Sequence, residues 1–508
     1  MQMNFIGIMS FVKTSLDWIG AIIVFAILLL MIAVLILYFI DKTQRKQTIR
    51  RNYPVIGRFR YFFEHLGEFF RQYFFALDRE EMPFNRAERS WAYRAAKNVS
   101  RTLAFGSTRN LNPTGTVLFL NDQFPTLEQN ALESKPVLIG PYCQQPYSAR
   151  SFFNISGMSY GSLSKVAVEA LSRGAAKAGC WINTGEGGLS PYHLAGGGDV
   201  VFQIGTAKYG VRNTQGGLDD NKLKDIATHP QVKMIELKMS QGAKPGKGGI
   251  LPGRKVTSEI SQIRGIPAGE DSISPNGHPE IKSVADLLDM LNHIRQVTGK
   301  PVGFKTVIGS HQFLQDLCHE IHARGIESAP DFITIDSADG GTGAAPQPLF
   351  DYVGLPLKES LPLVLDTLIQ QNLRDRIRVV CSGKMITPSG VAWALAMGAD
   401  FALSARGFMF ALGCIQALQC NKNTCPTGIT THDKDLQKGL DISDKSERVA
   451  YYHKNMVKAV GMIAHSCGVA EPRGLKRQHV RVVTESGLST PLDKLHPYQE
   501  DEIETEQV

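Results

Sequence analysis

Three textures of hydrophobic and polar residues succeed one another along the chain. From Trp18 to Ile40 the run "WIGAIIVFAILLLMIAVLILYFI" carries no charge, which predicts a single helix long enough to cross a bilayer. A cleavable signal peptide would have a shorter apolar core and a small-residue cleavage site, whereas this run passes straight into "DKTQRKQTIRR". From 41 to 114 the sequence is aromatic and basic, with "RYFFEHLGEFFRQYFFALDREEMPF" at its centre. Apolar residues recur there at helical intervals, so the segment reads as helices that either pack on the main domain or lie on the membrane surface. Glu64, Glu68, Asp78, Glu80 and Glu81 are mixed into it, which favours packing.

Beyond about residue 115, short apolar or β-branched runs end in glycine-rich loops and give way to helical patterns. Seven strand ends stand out: "FNISGMSYG", "CWINTGEGG", "VKMIELKMSQGAKPG", "PVGFKTVIG", "DFITIDSADGGTGAAP", "IRVVCSGKM" and "ADFALSARG". Helical stretches such as "SKVAVEALSRGAAKAG" and "PSGVAWALAMG" follow several of them. Strand and helix alternating over this length predict a parallel sheet, and the number of units suits a (β/α)8 barrel with insertions. The expected organisation is a short segment 1–17, a transmembrane helix 18–40, a juxtamembrane helical region 41–114, a barrel 115–470 and a C-terminal extension 471–508. The last residues, "DEIETEQV", are acidic and aperiodic, and are expected to be a disordered tail.

Composition and charge refine this picture at two points. The 508-residue chain has a net charge of +7, but much of the excess sits at Lys42, Arg45, Lys46, Arg50 and Arg51. With Lys13 alone before the apolar run, the positive-inside bias places the bulk of the chain in the cytoplasm, on a single-pass anchor in the cell membrane. The same cluster suits anionic headgroups, and no zinc-finger or RNA-binding signature accompanies it, so no nucleic-acid partner is expected. The eight cysteines lack regular pairing, which fits a reducing compartment where thiols serve as ligands, nucleophiles or packing.

Three of those cysteines, Cys414, Cys420 and Cys425, fall within "GCIQALQCNKNTCPTG". The C-x5-C-x4-C spacing with Pro426 after the last thiol suits an iron-sulfur site; a zinc site or inert packing are the alternatives. Residues six apart on a helix point about 240° apart, so convergence requires a break, for which 421–423 is the candidate. "MSQGAKPGKGGILPG" offers freed backbone amides and Lys244 and Lys247 to an anion, or is simply a long glycine-rich loop. Glu186 in "NTGEGG" can orient a substrate or a proton donor, against the plainer reading of a solvated loop carboxylate. Lys305 lies inside the apolar strand "GFKTV", where an ammonium needs a partner; it can hold a carboxylate or an electron-rich cofactor edge, or snorkel at the rim. "DGGTGAAP", "CSGK" and "SARG" occupy the last strand-to-helix loops, where barrels commonly hold a phosphate. No strand-linked G-x-G-x-x-G appears, so no dinucleotide domain is expected.

Taken in order, "MSYGSLS", "NTGEGG", "SQGAKPGKGG", "GFKTV", "DGGTGAAP" and "GCIQALQCNKNTCPTG" resemble the synthase domain of glutamate synthase over about 150–430. The chain also resembles stand-alone, membrane-anchored glutamate-synthase-like proteins of bacteria. The resemblance implies an FMN-binding barrel with a 3Fe-4S cluster on Cys414, Cys420 and Cys425. It further implies reductive amination of 2-oxoglutarate, or a similar 2-oxo acid, by an amine or ammonia to give L-glutamate. Carried over residue by residue, Met158, Ser159 and Tyr160 line the flavin, and Gln203 and Lys305 lie near its ring. Lys305 also holds the substrate carboxylate with Gln241 beside it, while Gly340, Gly341, Ser382, Gly383, Ala405 and Arg406 lie on the substrate and phosphate side.

The sequence departs from the family at the phosphate loop, which usually reads D-G-G and here reads Ser382, Gly383 and Lys384. Phosphate is then expected on Lys384 or Arg406. Full glutamate synthase also begins with a glutamine-hydrolysing amidotransferase domain, whereas this sequence opens "MQMNF". The nitrogen is therefore expected as free ammonia, from a separate glutaminase, or as another amine. Electrons are expected from a ferredoxin or a reductase subunit. The competing readings are a membrane-linked FMN and iron-sulfur amine or 2-hydroxy acid dehydrogenase, and a non-catalytic membrane scaffold or redox sensor.

Overall fold

The computed structural model describes residues 2–100 and 102–498; the expected acidic tail, 501–508, lies outside them. The chain divides into two compact units, Met1–Ala87 and Glu88–Val508.

In the first unit the apolar run is part of a longer helix, α1 (Gln2–Thr43). No proline interrupts residues 2–17, so the expected separate leading segment is continuous with the helix. At about 1.5 Å per residue, α1 is roughly twice the length of a ~30 Å hydrocarbon core. Its stretch Gly7–Thr43 is long and apolar enough to span a membrane, and none of its most apolar window is buried. Asp41 near its end is buried and takes Arg50 and Arg58 as ion-pair partners, so Arg50 of the basic cluster is already neutralised within the chain. A second helix, α2 (Gly57–Phe70), runs into a wide helical turn at Arg71–Phe75. Phe59, Phe62, Phe63, Tyr73, Phe74 and Phe75 are all exposed. Asp78, Glu80 and Glu81 come after the helical segment, and Asp78 pairs locally with Arg86.

The second unit begins earlier than residue 115, because α3 (Arg86–Ala96) buries Ala92, Ala95 and Ala96. The rings of Trp91 and Tyr452 stand 5.8 Å apart and those of Tyr93 and Phe410 5.9 Å apart. Eight strands follow: β1 (Phe153–Ile155), β2 (Ile182–Asn183), β3 (Val200–Ile204), β4 (Val232–Lys238), β5 (Val302–Thr306), β6 (Phe332–Asp336), β7 (Arg378–Ser382) and β8 (Phe401–Ser404). They close in sequence order into one barrel, with every neighbouring pair parallel and β8 returning to β1 through Ala402 and Phe153. Seven coincide with the strand ends read from the sequence. The eighth, β3, is the run "VVFQI", which lies between two glycine-rich stretches and has no helix until Asp220 to mark it as a unit.

The helical shell shows the same local logic. In α4 (Lys165–Ala178) Ser164 caps the start by accepting from Ala167 N, and Gly179 ends it at φ 70°, a left-handed turn that glycine adopts without penalty. A Cβ on Gly174 would lie 2.4 Å from Val449 Cγ1, so the missing side chain lets α4 pack against α5 (Ile442–Ser466). The lower barrel is filled by Trp181, Val201, Met234, Phe332, Val380, Phe401 and Leu403. Val117–Phe119 pairs antiparallel with Val480–Val483, which in turn pairs with Ser489–Pro491. That pairing ties part of the expected C-terminal extension to the start of the barrel unit.

Candidate active site

The site grows out of strand alternation. In β4, "VKMIELK", Met234, Glu236 and Lys238 share one face, and Met234 belongs to the barrel core. Glu236 therefore enters the barrel as a buried carboxylate. Its Oε1 accepts from Asn183 Nδ2 at 2.8 Å and from Gln203 Nε2 at 2.6 Å, and its Oε2 accepts from Thr334 Oγ1 at 2.6 Å. Strands β2, β3, β4 and β6 thus meet in one polar layer, which satisfies the carboxylate that burial would otherwise make costly.

One step toward the C-terminal mouth, Lys305 and Lys238 are register partners on β5 and β4. Two neighbouring ammonium groups require counter-charges, and each has one. Lys305 Nζ lies 3.1 Å from Asp336 Oδ2, and Lys238 Nζ lies 2.9 Å from Glu186 Oε1. Asp336 Oδ2 also accepts from Gly242 N at 2.9 Å. Gln241 Oε1 accepts from Lys238 Nζ at 2.6 Å, while its Nε2 donates to Thr342 Oγ1 at 3.3 Å. The loops after β2, β4 and β6 are thereby tied to the two strand lysines.

Glycines fit these loops together. A Cβ on Gly249 would lie 2.5 Å from Glu186 Oε1, and one on Gly205 would lie 2.6 Å from Glu186 Cβ. Glu186 is therefore enclosed rather than a solvated loop carboxylate. Burial alone would raise its pKa, but Lys238, Lys244 and Arg264 reverse the sign and hold it down to about 2. For Lys305, burial pulls downward and is outweighed by Asp336, Glu236 and Glu186, so it stays protonated. Lys244 goes the other way: burial, reinforced by Lys238 against the pull of Glu186, lowers it to about 8.

The remaining predicted residues fall into two groups. Met158, Ser159 and Tyr160 form the buried turn after β1, seated against Gly185 and Gly187, where an added Cβ would come within 2.7 Å of Ser159. The Tyr160 hydroxyl donates to Glu259 at 2.6 Å, and Tyr192 donates to the same carboxylate at 2.8 Å. Gly340 N donates to Ser337 O. Ser382 and Gly383 close against Ser337, whose N donates to Ser382 O. Lys384 reaches Asp339 at 2.8 Å. Ala405 caps the helix Arg406–Leu412, but Arg406 turns toward the cysteines: its Nη1 donates to Cys420 Sγ at 3.6 Å and its Nη2 to Thr342 O. Of the two residues expected at a phosphate, Lys384 is thus ion-paired with Asp339 and Arg406 hydrogen-bonded to Cys420.

Around the cysteines the helix ends at Leu412 with Gly413 at φ 111°, ahead of the break expected at 421–423. Gln416, Leu418 and Asn423 are left-handed, strain that non-glycine residues accept mainly at specialised sites. Cys414, Cys420 and Cys425 are each partly exposed, and all three lie in the field of Arg406. Burial raises the Cys414 thiol against Arg406. For Cys425 the upward push of burial is outweighed by hydrogen bonds from Thr427 and Thr430, so its thiol is lowered. Among the described residues no three His, Cys, Asp or Glu side chains are grouped closely enough to hold a metal ion as the chain stands. The donor set itself, three thiols beside half-buried Arg406 and buried Lys255, suits an anionic iron-sulfur cluster. Lys255 Nζ donates to Cys420 O at 2.9 Å and to Ser162 O at 3.1 Å, and His432 Nε2 lies 2.8 Å from Gly161 O. The cysteine segment and the 158–162 turn are thus bridged twice.

Asp336, Glu236, Lys238, Arg264, Lys255 and Glu259 were not singled out from the sequence. The available signal was a charged residue inside an apolar run, as in "MIELK" and "FITIDS", the same signal that marked Lys305.

A closed parallel barrel whose strand ends carry a paired-lysine network has the (β/α)8 fold, with its charged residues at the end where the active sites of barrel enzymes lie. The model of the conserved region in glutamate synthase matches residues 109–470, and the chain belongs to the glutamate synthase family, oxidoreductases acting on CH–NH2 donors. It is 38% identical over 499 residues to the glutamate synthase large subunit-like protein YerD of Bacillus subtilis (strain 168), covering 90% of this chain and 94% of that one. It is 35% identical over 307 residues to the archaeal glutamate synthase [NADPH] of Methanocaldococcus jannaschii, covering 60% of this chain and 56% of that one. Among solved structures, a flavocytochrome b2 variant with pyruvate bound aligns with a TM-score of 0.45 at 13% identity, over 77% of this chain and 82% of that one.

Proposed function

We propose that the barrel binds FMN at its C-terminal mouth and reductively aminates 2-oxoglutarate, or a similar 2-oxo acid, to L-glutamate or its analogue. Electrons would enter through a 3Fe-4S cluster on Cys414, Cys420 and Cys425. The observation that carries the reading is the charge at the mouth, where Lys238, Lys244, Lys305 and Arg264 face Glu186, Glu236 and Asp336. Four buried cations against three carboxylates leave room for an anionic substrate.

FMN, when bound, supplies the hydride that reduces the imino carbon. Met158, Ser159, Tyr160, Gln203 and Lys305 would hold its ring, and Ser382, Gly383 and Lys384 its phosphate. Without side chains at Gly185, Gly187 and Gly383 these turns close tightly against Ser159 and Ser337, which fixes the backbone that would face such a ligand. Lys305, kept charged by Asp336, binds the substrate carboxylate, and Gln241 orients it from the neighbouring loop. Glu186 is ionised at neutral pH, so it holds Lys238 in place rather than donating a proton. Lys244, lowered to about 8, has the acidity suited to proton transfer near neutrality.

The reading extends to the surroundings of the barrel. α1 spans the cell membrane once and leaves the barrel on the cytoplasmic side, in keeping with the basic residues after it. The electron donor is a ferredoxin or a reductase subunit, and the nitrogen is free ammonia or the product of a separate glutaminase.

The test is an anaerobic spectrum of the detergent-solubilised protein, reduced with dithionite and mixed with 2-oxoglutarate and ammonium. Reoxidation with glutamate formed is the expected result. A flavin that stays reduced under those conditions but is bleached, when oxidised, by an amine donor would replace the synthase with a membrane-linked amine dehydrogenase.

A further inference from the structure

The segment between α1 and the barrel takes no part in the proposed chemistry, yet it is built with care. Asp41, in the last turn of α1, accepts from Arg50 Nε at 3.0 Å and Nη2 at 2.6 Å. It also accepts from Arg58 Nε at 2.7 Å and Nη2 at 2.8 Å, and from Val55 N at 3.0 Å. Five donors on one buried carboxylate fold residues 44–58 back onto the end of α1. The turn is tight: Val55 is left-handed at φ 65°, and a Cβ on Gly57 would lie 2.8 Å from Ile49 O. α2 therefore starts within side-chain reach of the point where α1 ends.

From that fixed start α2 presents aromatics at helical spacing. Phe59 and Phe63 stack with ring centres 6.4 Å apart, and Phe62 meets Phe63 edge-on at 5.3 Å. Phe70 meets Phe74 at 5.3 Å, and Tyr73, Phe74, Phe75 and Leu77 continue the stripe, each at least half exposed. A contiguous stripe of this kind in water marks a surface with a partner. Around it, residues 42–71 hold eight cations (Lys42, Arg45, Lys46, Arg50, Arg51, Arg58, Arg60 and Arg71) against Glu64 and Glu68. With Arg50 and Arg58 spent on Asp41, Lys42, Arg45, Lys46, Arg51, Arg60 and Arg71 remain exposed.

We propose that residues 56–77 lie in the plane of an anionic phospholipid surface. The phenylalanines sink to the boundary between headgroups and acyl chains, and the exposed cations sit on lipid phosphates. This rests on the reading of α1 as a membrane span, because only then does the Asp41 clamp stand at the bilayer surface. Continuity with that span, together with the sign of the charge, favours lipid over a protein partner as the occupant.

The test uses the full chain in nanodiscs of phosphatidylcholine and phosphatidylglycerol, with p-benzoyl-phenylalanine replacing Phe25, Phe63, Phe74 or Phe350 one at a time. Photolysis should give lipid adducts at positions 25, 63 and 74 and none at 350 on the barrel. A lipid adduct at 25 with only protein adducts, or none, at 63 and 74 overturns the proposal while the span stands. No lipid adduct at 25 overturns the span and the proposal with it. In nanodiscs of phosphatidylcholine alone the adducts at 63 and 74 should be lost or sharply reduced; equal yields would overturn the anionic requirement.

Discussion

The lysine network at the barrel mouth and the cysteine segment beside it carry different kinds of order. In the mouth the key side chains project from strand ends or short loops packed between them, and the two strand lysines are paired within the chain: Lys305 with Asp336, Lys238 with Glu186. In the cysteine segment the three thiols hang on irregular chain with three left-handed non-glycine residues, and their nearest charges, Arg406 and Lys255, come from elsewhere. The first region is preorganised by hydrogen-bonded sheet; the second concentrates positive charge around three thiols on irregular chain. A site set by strands should respond to mutation through affinity and rate, whereas a site completed by its ligand should respond through whether that ligand is retained.

The largest effect should come from Lys305→Met. Removing one partner of a buried ion pair leaves Asp336 uncompensated, and loss of a group aimed at developing charge typically costs roughly 10²–10³ in rate. Stopped-flow reoxidation of the reduced protein by 2-oxoglutarate and ammonium should fall by about that factor, while iron content per chain stays constant. Cys425→Ala should do the reverse, abolishing bound iron by elemental analysis while FMN per chain stays unchanged. If it also empties the flavin site, the two regions are one unit and the contrast fails.

Replacing Lys384 and Arg406 sharpens the boundary. Lys384→Ala should weaken FMN retention by about tenfold, equivalent to about 1.4 kcal/mol, measured by ultrafiltration. Arg406→Ala should leave FMN in place and reduce iron. Equal loss of FMN in both would return Arg406 to the phosphate side.

The smallest effect is a pH dependence. Lys244 has its pKa lowered to about 8, so its positive charge is present below that pH and lost above it. Between about pH 7 and about pH 9 the protonated fraction falls roughly tenfold, and KM for the 2-oxo acid should rise in step. In Lys244→Met this rise should flatten; a profile unchanged by the substitution would remove Lys244 from substrate binding. Glu186, held at about 2 against an ordinary 4.5, contributes stability that is present above about pH 4.5 and lost as the pH falls toward 2. Glu186→Gln should narrow the gap between urea midpoints at pH 7 and pH 3.

Much of the barrel was legible because parallel strands buried on both faces must be apolar and must end in loops that turn sharply, which leaves runs such as "PVGFKTVIG" in plain view. β3 escaped because "VVFQI" is short and lies between glycine-rich stretches, with its helix Asp220–Thr228 beginning only after a long loop. Lys305 was legible because a charge inside an apolar strand is costly without a partner. The partner, Asp336, was not, because it lies one strand over and no local pattern links residues 305 and 336. The place of Arg406 in the last strand-to-helix loop was legible, but the contact of its side chain with Cys420 was not.

The apolar length of α1, the strand and helix alternation, the three clustered thiols and the lone strand lysine follow from the sequence by itself, since each is a local property of neighbouring residues. Tertiary structure alone decided that Glu186 is enclosed and ionised, that Lys238 stands beside Lys305, that Arg406 serves the thiols and that Asp41 gathers two arginines. These depend on which strands, loops and turns come to lie side by side: a tight turn returns Arg58 to Asp41, and barrel closure brings Thr334 to Glu236, 98 positions away, which no local periodicity connects.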